Sequence, residues 1–162
     1  MNPVLDAAST WFFDSLSQSL DGTLAVRLVE GIKGAEREYL EVDDTRLGPY
    51  FPVSVQAGSQ CVLVSFPAVI AFVVVDESFS DEAASVQTGE GRVLAELQDS
   101  AFRTFAAEAT SLASVEDEPV SEFVLRCEDR VIHVLARERP RVHLLQDGPD
   151  LSVARTQTWS AS

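Results

Sequence analysis

The sequence predicts an α+β fold: a mostly antiparallel sheet, open to strong curvature, with one long helix packed on it and an amino-terminal helix at its edge. Three stretches carry that expectation. Cys61 to Phe79, CVLVSFPAVIAFVVVDESF, is the longest apolar run, rich in β-branched residues and divided at Pro67-Ala68 into two strand-like halves. From Arg92 to Leu112, Val93, Leu97, Ala101, Phe105, Ala109 and Leu112 recur on one helical stripe. Ser121 to Ala136 alternates apolar and polar residues on either side of Glu128-Asp129, as a hairpin does.

The remaining elements follow in chain order. Asn2-Pro3 is a helix start signal, and Val4, Leu5, Ala8, Trp11, Phe12 and Leu16 continue at helical spacing to Asp21-Gly22, so residues 3 to 20 read as an amphipathic helix. Its Trp-Phe-Phe cluster reads as a core stripe, with a homodimer contact through this helix as the alternative. Leu24, Val26 and Leu28 then alternate with Ala25, Arg27 and Val29, which makes a strand, and Glu36 to Val42 reads as its hairpin partner near solvent. Asp43 to Pro52 holds too many breakers for regular structure and reads as a surface loop pinned by Tyr50 and Phe51. In the long apolar run, Cys61–Phe66 and Val69–Val75 read as a central hairpin. The second strand lacks alternation and so calls for cover on both faces. Arg92 to Leu112 supplies one cover. Ser114 to Val120 reads as an acidic loop, and Val142 to Leu145 as a last short strand.

At 162 residues the chain is long enough to bury roughly 70% of its unfolded surface, and a single domain over 1–145 with a polar tail at 146–162 is expected. Cys61 and Cys127 sit in apolar strand-like segments and read as structural free thiols, which fits a reducing, cytoplasmic setting. No positively charged leader precedes an apolar core, and Pro67 and Asp76 interrupt the longest apolar run below membrane length.

Charge narrows the function classes. Twenty-six acidic against twelve basic residues leave a net charge of −14, with Lys33 the only lysine. A surface that tracks phosphates needs clustered Lys and Arg, so nucleic-acid and anionic-membrane binding are disfavoured. Solubility is the plain reading of the excess; complementarity to a basic protein partner is the sharper one.

Chemistry-bearing residues are few. Asp76-Glu77-Ser78 ends the apolar run, and neighbours in a strand point to opposite faces, so the two carboxylates do not form a shared-proton dyad. Either one caps or pairs with an arginine while the other faces a cleft, where an apolar rim disfavours its ionised form, or the carboxylates serve a structural ion pair, which is the favoured reading. Arg137 and Arg139, with Arg141, form a basic patch suited to a carboxylate or phosphate, or to pairing within the chain. His133 and His143 lack further ligands at metal spacing, no Gly-x-Ser-x-Gly elbow occurs, and Glu90 between Gly89 and Gly91 would repel a phosphate. The sequence therefore predicts no catalytic set, no metal and no cofactor. Asp76, Glu77, Ser78, Arg137 and Arg139 are its binding candidates.

Asp76-Glu77-Ser78-Phe79, Ser100-Ala101-Phe102 and Phe123 to Pro140 together resemble a family of small uncharacterised bacterial α+β proteins. Its members carry an N/D-E-S-aromatic motif, then a helix with Ser-x-aromatic, then a hairpin ending near proline. At the start of that hairpin the family often shows His-Tyr, and this chain has Glu122-Phe123. The resemblance spans roughly half the chain. It implies the fold, and for members that resemble toxin-immunity proteins it implies neutralisation of a partner. A non-catalytic acidic interaction module is thus the leading expectation, and a small-ligand binder or enzyme with Glu77 at a pocket rim is the rival.

Overall fold

The computed structural model describes residues 2–80, 86–88, 91–114, 119–152 and 158–160. Asn2 caps a single turn of helix, α1 (Pro3–Asp6), its side-chain oxygen accepting from the N–H groups of Val4 and Leu5. The strands β1 (Trp11–Gln18) and β2 (Leu24–Glu30) then form an antiparallel hairpin, closed by Gly22 at φ +83°. The expected helix over residues 3 to 20 is therefore corrected to one turn and a strand. Trp11 and Phe12 show the reason. As strand neighbours they point to opposite faces, Trp11 into the main core and Phe12 into a second cluster with Val29, Val53 and Cys61. Both are buried, so the aromatic face that a dimer contact through this segment would need lies inside the protein.

Beyond β3 (Ile32–Lys33), the strands β4 (Glu38–Val42) and β5 (Thr45–Ser54) make a long, largely exposed hairpin. Its two-residue turn is Asp43-Asp44, at φ +46° and +64°, the conformation that matches strand twist in a tight hairpin. Asp43 to Pro52 is thus mostly strand, where the sequence suggested a loop. The breakers mislead because Gly48 and Pro49 sit at a register shift, where an extra residue needs no ladder partner. Of the expected partner Glu36–Val42, the strand part Glu38–Val42 pairs with β5 instead of with the preceding strand.

The central stretch is also rearranged. β6 (Cys61–Phe66) pairs with β2 on one side and with β12 (Arg141–Leu144) on the other, whereas β7 (Val69–Asp76) pairs, among the described residues, only with β11 (Arg130–Ala136). The two halves of the apolar run therefore belong to different sheets. Pro67-Ala68, with Ala68 at φ +49°, is an arch between sheets and not a hairpin turn. After β8 (Val86–Thr88), the strand β9 (Leu94–Asp99) occupies the first half of the expected long helix, and α2 (Ala101–Ala109) supplies only nine helical residues. A spacing of four satisfies a period of two as well as one of 3.6, so Val93 and Leu97 fit either element. Ala95 and Leu97 are buried together on one face of the sheet, as alternation requires. Further along the expected core stripe, Phe105 is exposed.

The Ser121–Ala136 hairpin is present as β10 (Ser121–Arg126) and β11, closed where Cys127 N–H donates to Arg130 O at 2.7 Å. Two main sheets result, β1-β2-β6-β12 and β7-β11-β10-β9-β8, with a smaller one built on β5, β3 and β13 (Thr158–Ser160). All pairings are antiparallel and no sheet is curled, so the curvature allowed for in the sequence reading is not found. The main core is sandwiched between the two large sheets. It draws Leu24, Val26, Leu28, Val62, Val64 and Phe66 from the first sheet, and Phe123, Leu125, Ile132 and Val134 from the second. Burying a Val, Leu, Ile or Phe side chain contributes about 1.5–3 kcal/mol each, so this two-sheet interior dominates the stability. Open antiparallel sheets suffice here because each has a partner face to cover.

β7 is the exception. It ends its sheet, its residues are half-buried or exposed, and the cover on both faces inferred from its composition is incomplete. No helix among the described residues is long and apolar enough to cross a membrane.

Candidate functional site

Asp76 closes β7 and caps the 3-10 turn Glu77–Phe79, its Oδ1 accepting from Ser78 N–H at 3.1 Å. Its Oδ2 lies 2.9 Å from Arg130 Nη1, an ion pair across the β7–β11 edge that is well exposed on both sides. Adjacent Glu77 lines a cleft of about 290 Å³ together with Ser80, Arg126, Cys127 and Val131. The two carboxylates thus have separate surroundings. Cys127 forms the apolar wall: burial, with a smaller push from the negative charge of Asp129, raises its thiol far above the usual cysteine range. It is an inert hydrophobe in this position, and both cysteines are buried and unbridged. The cleft's described lining thus brings a carboxylate, a guanidinium and a serine beside the neutral Cys127 and Val131.

The other candidates stand apart from it. Arg137 lines a shallow depression with Ala68, Pro119 and Glu138, and Arg139 pairs with Glu96 at 3.0 Å. Arg141 Nη2 reaches Glu138 at 3.8 Å. Intramolecular pairing accounts for much of this basic stretch. His143 is exposed on β12. Gly89 and Glu90, the acids at 116–118 and residues 153–157 and 161–162 of the tail lie outside the described residues.

A buried polar cluster that the sequence reading did not single out sits under α2. Glu122, fully buried on β10, has Oε1 2.9 Å from His133 Nδ1 and 2.7 Å from Ser100 Oγ, and its Oε2 is also 2.7 Å from that hydroxyl. Ser100 is the N-cap of α2: its Oγ accepts from Arg103 N–H at 3.0 Å while its proton is directed to Glu122. Phe102, in the first turn of α2, packs its ring 6.0 Å from the His133 ring. One carboxylate therefore joins two strands to the start of a helix.

Chemically, the order of contacts is serine, glutamate, histidine. A nucleophilic relay needs the imidazole beside the serine hydroxyl, with the acid behind it. Here the acid stands between, so the cluster is a strut. A buried carboxylate is tolerable only when it is hydrogen-bonded, and its two partners, Ser100 and His133, make three contacts with it. The signal for it was present in the pattern. Glu122 shares its strand face with Val124, and His133 pairs with Val124 across the hairpin, so two polar residues occupy diagonal positions on a buried face.

A third feature is the β4–β5 hairpin. Lys33 Nζ lies 4.4 Å from the Phe51 ring centroid, Arg37 lies 5.0 Å from the same ring, and Arg46 lies 3.6 Å from that of Tyr39. Its cations are drawn onto aromatic faces. Glu36, Glu38, Glu41, Asp43 and Asp44 are exposed, and none of them has an ion pair among the described residues. No group of three or more His, Cys, Asp or Glu side chains among the described residues is placed to hold a metal ion.

Comparison with protein-family models, with curated proteins and with solved structures finds no match for this chain. The reading of its function rests on the geometry above.

Proposed function

We propose that this chain is a non-catalytic acidic interaction module for a basic protein partner, with immunity-like neutralisation as the most concrete form. The observation that carries it is the division of charge on the β4–β5 hairpin. Four exposed carboxylates there, with Glu36 just before it, lack intrachain ion pairs among the described residues, while the neighbouring cations are held on Phe51 and Tyr39. A net charge of −14 extends the same field over the whole molecule and speeds encounter with a cationic surface. Such steering weakens as salt shortens the screening length to about 10 Å at 0.1 M.

The test is a pull-down from native lysate at low and high salt, comparing the native chain with a Glu41→Gln, Asp43→Asn, Asp44→Asn variant. Asparagine accepts the positive φ of this turn, so the hairpin geometry is retained. A basic protein retained at low salt, released by salt and missed by the variant is the expected outcome. Equal recovery by both chains overturns the reading.

A second reading, a small-ligand site with Glu77 at its rim, draws support from the cleft that Glu77 shares with Arg126 and Val131. Under it, Glu77→Gln erases any ligand-induced rise in Tm while leaving the Tm of the free protein unchanged. A large drop in the free protein instead marks Glu77 as structural.

A further inference from the structure

The two faces of the β4–β5 hairpin differ in chemistry. Residues paired across an antiparallel ladder share a face, so Glu41 and Arg46 lie on one side, where Arg46 is laid over the ring of Tyr39. On the other side Leu40 pairs with Leu47, and Val42 with Thr45. Val42 is 46% exposed and Leu47 41%, with Leu40 half-buried beside them. This aliphatic patch holds no cation: Arg46 is turned to the opposite side, and Lys33 and Arg37 sit on the Phe51 ring. Carboxylates bound it lengthwise. Asp43 and Asp44 form the tip, and Glu38 alternates with Leu40 and Val42 at the other end.

Resting on the basic-partner reading above, we infer that this face docks an amphipathic basic helix of the partner. The helix lays aliphatic side chains on Leu40, Val42 and Leu47, and its flanking lysines or arginines reach Glu38, Asp43 and Asp44.

Charge selects the class of occupant. A second copy would set its own acidic tip, and a net charge of −14, against the same carboxylates, and an anionic membrane would be repelled in the same way. A cationic element pairs with them instead, while its apolar stripe takes Val42 and Leu47 out of water. Spacing selects a helix. Residues two apart on a strand, as Leu40 and Val42 are, stand about 6.8 Å apart, and helix residues four apart stand about 6 Å apart, so one stripe covers both. Glu38 and Asp43 are about 17 Å apart along the strand, and three helical turns span about 16 Å, which puts a cation at each end of the stripe.

The experiment is a calorimetric titration of the full chain, at low and at high salt, with two synthetic helical peptides of equal lysine content. One carries leucine at i, i+3, i+4 and i+7; the other carries alanine there, which keeps the helix and the charge. At low salt the native chain is expected to bind the leucine peptide about tenfold more tightly than the alanine peptide, and high salt weakens both. Val42→Thr combined with Leu47→Thr, which keeps strand propensity, brings the two peptides to within about twofold. Thr45→Val extends the aliphatic face and widens the gap. Phe105→Ser, which removes an exposed apolar residue on α2, leaves it unchanged. Circular dichroism checks that each variant is folded.

Equal binding of the two peptides by the native chain overturns the inference without recourse to any variant; if salt still releases both, the basic-partner reading stands. Absence of salt-sensitive binding by either peptide removes that reading as well. A gap that survives the double threonine variant also overturns the inference, because the stripe then binds elsewhere. Self-association of the chain alone in sedimentation, lost in the same variant, gives the face to a second copy and overturns it too.

Discussion

The β10–β11 and β4–β5 hairpins have the same local construction and treat charge in opposite ways. In the first, strands of six and seven residues lie in the middle of a sheet, and the single carboxylate on the covered face, Glu122, has a hydroxyl and an imidazole within 2.9 Å. In the second, the carboxylates face water without ion partners among the described residues, and the cations rest on rings. Burial makes the difference. A carboxylate without water must have every lone pair met, so Glu122 is fixed by its surroundings, whereas solvated acids are free to answer to something outside the chain. The first hairpin contributes to the core; under the proposed function the second carries the binding surface.

The comparison breaks first at Glu122. Glu122→Ala leaves a cavity, an unpartnered His133 and a helix cap without its acceptor, and should cost about 3–5 kcal/mol, measured as a lowered denaturant midpoint with a nearly unchanged m-value. Ser100→Ala removes the cap and one partner only, and about 1–2 kcal/mol is expected by the same measurement.

At the turn of the same hairpin, the raised Cys127 thiol gives a pH signature. Above its ordinary value of 9.0, the unfolded chain gives up the proton while the folded chain retains it. The folded state then binds more protons, so stability falls as pH rises above about 9, by up to about 1.4 kcal/mol per unit. Cys127→Ala should flatten that slope in a pH series of urea melts. Native Cys127 should also resist alkylation at pH 8 and react once the chain is unfolded.

The smallest effect belongs to the exposed hairpin. Arg46→Ala removes the contact with Tyr39 and should cost about 0.5–1 kcal/mol, checked by the shift in Tm. A loss as large as that at Glu122 would show that the two hairpins are not divided as described.

Legibility followed the range of the interactions. Ser121–Ala136 could be read in full because its period of two, its turn and its partner all lie within sixteen residues. Arg92–Leu112 misled because Val93, Leu97 and Ala101 recur every fourth residue, a spacing common to both periods, and Ser100 as a cap was the decisive clue. Asp76 and Glu77 were identifiable by chemistry, and their opposite strand positions implied different surroundings. Which one meets Arg130 and which lines a cleft depended on β11, more than fifty residues away. Glu122 was noted only where the resembled family shows His-Tyr; its role stayed hidden because it lies in two partners from other elements.

By itself, the sequence determined that this chain folds around antiparallel strands and carries a strong acidic excess. Alternation, turn residues and composition are local quantities, and local physics suffices for them. Only the tertiary structure decided that Pro67-Ala68 parts the apolar run between two sheets and leaves β7 at an edge. A strand's own residues specify that it is extended and apolar; which neighbour takes up its hydrogen bonds is settled by competition among all the strands for the same core.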